Sequence, residues 1–161
     1  MTDAGVEAEQ PALFRLICGF ICVHACMAGV RMTSPLLALQ LGYSAAAVGV
    51  MLALFALTQV FLSLPAGRYV DKHGLKRPVG LSVVAASLGT VLAFNYKLLP
   101  VFTTLCIAAL LTGGGAGMAA ISLQRHVGRM AKTPTELKKV FSWLALGPAI
   151  SNFLGPFAAG L

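Results

Sequence analysis

Apolar residues arrive in five long blocks separated by short polar interruptions. A helix needs about 20 apolar residues to cross a hydrocarbon core of about 30 Å at 1.5 Å rise per residue, and each block is near that length. The pattern predicts an all-α integral membrane fold with five transmembrane helices, over about 13–39, 45–66, 78–96, 100–124 and 134–161, after a cytoplasmic tail over 1–12. Local signals place the breaks. Pro35 should interrupt the first helix, and Leu41-Gly42-Tyr43-Ser44 is a tight turn whose serine suits an N-cap. Pro78 can open the third helix without losing a hydrogen bond, and Pro100 the fourth after a short connection that implies antiparallel neighbours. Thr133-Pro134-Thr135-Glu136 has the spacing of a capping box, so the fifth helix should start at Pro134.

Composition agrees with the block pattern. Hydrophobic residues make up 58% of the chain and charged residues 11%, with a mean hydropathy of +0.85. A soluble domain carries roughly 25% charged residues, so too few charges are present to cover a water-facing surface. The net charge of +7 would suggest nucleic acid in a soluble protein. Here the bases lie between apolar blocks, so they report topology; the expected partner is the lipid bilayer, and no nucleic acid is expected. Arg15, Arg68, Lys72, Lys76, Arg77, Arg125, Arg129, Lys132, Lys138 and Lys139 fall on one side, against Lys97 alone in a loop on the other. Cytoplasmic loops carry the Lys and Arg excess, which puts the amino terminus inside a plasma (inner) membrane. Asp3, Glu7 and Glu9 stand where a secretory signal would have a basic region.

Few groups at membrane depth can do chemistry. Arg31 is the one charge deep in a block. Intramembrane charges face a cavity or find a partner, so it either contacts an anionic group of a bound molecule or a carboxylate on another membrane segment, or snorkels past Pro35 to outer headgroups. His24, Gln59 and Asn152 complete the polar set along a substrate path; each is either a helix-to-helix hydrogen bond or a solute contact, and His24 is a candidate proton relay. Gln124-Arg125-His126 marks the solvated exit of the fourth helix. Cys18, Cys22 and Cys26 share a helical stripe with no nearby ligand set, and read as small residues for close helix packing. No paired carboxylates, metal cluster or activated nucleophile occur among these groups, so no enzyme, catalytic residue, metal or cofactor is expected.

Two stretches carry a resemblance. Gly67-Arg68-Tyr69-Val70-Asp71-Lys72-His73-Gly74-Leu75-Lys76-Arg77 is similar to the loop signature of the major facilitator superfamily, matching at Gly67, Asp71, Lys72, Gly74 and Lys76, with Lys72 for the usual arginine and Leu75 where a base is common. In a cytoplasmic hairpin the glycines would permit the reversal and the bases would hold it at the inner face. Ser151 to Gly160 resembles the antiporter signature of the same family, with Gly155, Pro156 and Gly160 matching and Ser151 and Ala159 standing in for glycines. The preceding Gly147-Pro148 suggests a bent helix. A membrane-embedded arginine precedes the glycine run of proton-coupled drug antiporters, and Ala109 occupies that place ahead of Gly113-Gly114-Gly115-Ala116-Gly117.

The resemblance implies a bundle making most of one six-helix half of a transporter with about twelve spans, and transport of a small-molecule substrate by alternating access, in the efflux direction. It implies a gating role for the loop residues and a carboxyl-terminal half as partner; a coupling proton would need a route other than that arginine, whose place Ala109 takes. On this reading the chain is a partial transporter without helix 6. The alternative is a transport-inactive membrane scaffold or accessory subunit that keeps the fold.

Overall fold

A computed structural model describes residues 4–130 and 133–160. Five helices follow one another: α1 (Ala4–Gln40), α2 (Ala45–His73), α3 (Lys76–Phe94), α4 (Val101–Met130) and α5 (Pro134–Ala159). Four are long and apolar enough to cross a membrane, and α5 contributes a shorter apolar stretch, Leu144–Ala159. The expected fifth span is therefore less clear-cut than the others, because polar and basic residues such as Lys138 occupy the first turns of α5.

Several helix ends differ from the expected ones. α1 begins at Ala4, so most of the expected tail is helical, and it continues unbroken past Pro35. Neighbouring helices in a bundle can supply the contacts that hold a proline-containing helix together. α4 runs beyond residue 124 to Met130 and carries Arg125 and Arg129 with it. The largest difference is at the α2–α3 reversal, where the expected eleven-residue polar hairpin is a turn of two residues, Gly74 and Leu75. Gly67, Asp71 and Lys72 lie in the last turns of α2, and Lys76 opens α3. At about 43 Å, the 29 residues of α2 exceed the hydrocarbon thickness, so this polar end projects beyond it.

Caps explain the remaining boundaries. The Ser44 hydroxyl accepts a hydrogen bond from the Ala47 amide at 3.3 Å, and Gly42 just before it has φ +84°. Gly74 has φ +70°, a conformation that side chains resist, and its amide closes α2 on the Val70 carbonyl at 2.9 Å. α5 starts at Pro134 and remains one helix through Pro148 and Pro156. The side chain of Glu136, needed for the capping box, lies outside the described residues, as do those of Lys132 and Lys139.

α4 is the hub of the bundle, packing broadly on α2 and α3 and also on α1, while α1 pairs with α5. Its glycine run makes this possible by facing two ways. A Cβ on Gly113 would come within 3.0 Å of the Phe55 carbonyl on α2, and one on Gly115 within 2.8 Å of the Ser82 carbonyl on α3. Glycine lets backbones meet where no larger residue fits. Around these contacts Met51, Phe55, Leu105, Ala108, Ala109 and Ala116 form a closed core. The buried hydroxyls of Thr104, Thr112 and Ser122 donate to carbonyls one turn back, so they add no unpaired polar group. On the outside, Val60, Phe61, Leu64 and Phe94 are exposed, the last at 87%. In a bilayer such side chains face lipid at no cost.

Candidate functional site

Polar groups gather where α1, α2, α4 and α5 diverge. A cavity of about 420 Å³ lies between them, lined by His24 and Phe20 from α1, Gln59 and Ser63 from α2, Gly117, Ile121 and Gln124 from α4, and Phe141, Leu144 and Pro148 from α5. Its size falls within the range of small-molecule sites, roughly 300–1,000 Å³. His24 packs its ring on Phe20 with centroids 4.8 Å apart, and its buried Nδ1 has no hydrogen-bond partner among the described residues. Gly117 faces Gln59, and a Cβ there would make an ordinary contact 3.4 Å from the Gln59 Cα.

Two of the four expected path residues, His24 and Gln59, line this cavity. Arg31 and Asn152 do not, and both side chains are exposed. They lie on the same helix faces all the same. Arg31 follows His24 by seven residues, two turns that return to within about 20° of the same direction. Asn152 follows Pro148 by one turn. Gln124 belongs to the cavity wall although its place beside Arg125 reads as a solvated helix end, and Phe20, Ser63 and Phe141 carry no sequence signal beyond apolar or small polar identity.

The signature at the α2–α3 turn serves as one partner of a charge cluster. Arg125 donates to Oδ2 of Asp71, and Arg129 donates to Oδ1 at 2.6 Å. Gly67 provides room for this, since a Cβ there would lie 2.7 Å from the Arg125 guanidinium. The hydrogen bond from Arg125 is the main reason the Asp71 carboxyl is held below its ordinary range, with the charges of Arg125 and Arg129 acting the same way. Lys72 and Lys76 are exposed beside this cluster. One signal in the sequence does point to the pairing: Arg125 and Arg129 are four residues apart at the end of α4, on one helix face, opposite the lone acid of the turn.

The second signature joins α5 to α1. The buried Ser151 hydroxyl donates to the Ile21 carbonyl at 3.0 Å and to the Gly147 carbonyl at 2.8 Å. One turn later a Cβ on Gly155 would fall 2.5 Å from the Ala25 carbonyl and 2.8 Å from the Gly29 amide. Ser151 and Gly155 are thus contact points between backbones, while Pro156 is half-buried and Ala159 and Gly160 are exposed at the helix end.

Long apolar helices, backbone-close packing through glycines and a polar cavity inside the bundle define a multi-pass helical membrane protein. The chain matches the Major Facilitator Superfamily over residues 16–161, and it belongs to this family of membrane transporters, which are not enzymes. No curated protein and no solved structure matches it.

Proposed function

We propose that the chain supplies the groove of a transporter that moves a small solute out of the cell, with the amino terminus and the base-rich helix ends on the cytoplasmic side of the plasma (inner) membrane. The observation that carries this reading is the convergence of His24, Gln59 and Gln124 on one cavity inside the bundle. Polar groups in a membrane are costly unless they meet water or a ligand, so a cavity that collects them is a path. α5 is the fifth span, and a second helical bundle covers the groove in alternating access. The efflux direction rests on the likeness of Ser151–Gly160 to the antiporter signature, and a proton is the coupling ion we favour, with His24 the group placed to carry it.

Arg31 tests the groove. Facing it and gripping an anionic group, Arg31→Ala should lose transport at least tenfold at unchanged membrane abundance, and Arg31→Lys should recover only part, because lysine keeps the charge and lacks the planar fork. Initial transport rates of the transporter with both helical bundles, at matched abundance, decide. Normal rates in Arg31→Ala, or full rescue by lysine, would assign Arg31 to the outer headgroups instead.

A further inference from the structure

The cavity and Arg31 differ in charge, and their spacing along α1 is fixed. None of the cavity-lining residues is Asp, Glu, Lys or Arg, so the polar groups there are an imidazole, two carboxamides and the Ser63 hydroxyl, flanked by the rings of Phe20 and Phe141. Such a lining suits an uncharged, partly aromatic body with hydrogen-bonding groups, since a charge placed there would lose its hydration without a partner. Two turns along the same face, about 10.5 Å away by helix rise, stands Arg31 with no ion pair among the described residues. Asn152 lies at the level of His24: Ser151 bonds to the Ile21 carbonyl and Gly155 abuts Ala25 and Gly29, which sets this part of α5 beside residues 21–29 of α1. A cation in this groove would meet only a like charge.

We propose, building on the transport reading above, that the solute is an amphiphilic organic anion. Its uncharged aromatic body lies between Phe20, His24 and Gln59, and its carboxylate or phosphate lies about 10 Å away on the Arg31 guanidinium. Arg31 sets specificity for the acid group and the cavity sets specificity for the body.

Binding of ω-phenylalkanoates of increasing chain length to the purified protein tests this, beside the matched primary amides and amines. Acids should bind about tenfold or more tighter than their amides, the amines should not bind, and affinity should peak where the chain puts the carboxylate about 10 Å from the ring. Arg31→Gln should lower acid binding to the amide level and leave amide binding unchanged, whereas Gln59→Leu should weaken acid and amide alike. Equal binding of acid and amide by the wild type, an equal loss of both in Arg31→Gln, or no binding of any member would overturn the inference. Transport of the amides as fast as the acids would also overturn it while leaving the transport reading standing. Absence of transport of every solute class offered to the chain assembled with its second helical bundle would remove that reading as well.

Discussion

Asp71 is the residue on which the base-rich end is organised, because both guanidiniums of α4 in this region close on its single carboxylate. The pair is about half exposed, so its worth lies in fixing α2 against α4 locally more than in global stability. The sign of its pH dependence follows from the depressed carboxyl pKa. A carboxylate held below its unfolded value of about 3.9 stabilises the fold at all higher pH, and that contribution is lost as pH falls through the lower folded value. Detergent-solubilised protein should therefore melt at progressively lower temperature below about pH 4, with a smaller slope in Asp71→Asn. Identical slopes would mean the cluster contributes nothing to stability. The importance of Asp71 was legible from its isolation among bases. Its partners were marked only by the four-residue spacing of Arg125 and Arg129, because Arg125 lies 54 positions away and depends on α4 extending past the apolar block.

Among the elements, glycines at two contacts behave differently under substitution because of what they touch. Gly67 faces the far end of the Arg125 side chain, which can swing aside, whereas Gly155 faces the backbone of α1, which cannot. Gly67→Ala should cost little in stability while loosening the Asp71 cluster. Gly155→Ala should cost about 1–3 kcal/mol through overpacking of α1 against α5. Unfolding by a denaturing detergent, followed by helical circular dichroism, compares the two; equal losses would contradict the assigned contacts. Helix number and order were legible from block length, and the small residues of Gly113–Gly117 mark a stretch where backbones can meet. That the run touches α2 on one side and α3 on the other was not, since small residues at i and i+2 give no indication of which neighbour lies on each side. The α2–α3 polar segment misleads for a related reason. Its charges resemble a loop, yet helix propensity and the α4 guanidiniums keep it helical as far as Gly74.

At the scale of the whole molecule, two kinds of exposed surface have to be told apart. Val60 is 68% exposed on α2 and Gln59, one position away, is half-buried on the cavity, so the more exposed residue is the one expected in lipid. The family and the membrane class could be read from two short signatures and the apolar blocks, while the cavity depends on four helices diverging and leaves no mark in any one of them. Accessibility separates the surfaces most directly. In a background with Cys18, Cys22, Cys26 and Cys106 replaced by alanine, single cysteines at Gln59 and Val60 are exposed to a membrane-impermeant, thiolate-specific reagent in inverted and right-side-out vesicles. A thiol ionises and reacts only where water reaches it. If the groove is the solute path and the base-rich end is cytoplasmic, Gln59→Cys should label, faster from the cytoplasmic side, and Val60→Cys should stay unlabelled from both. Labelling of Val60→Cys with protection of Gln59→Cys would place water on the face assigned to lipid and contradict the account.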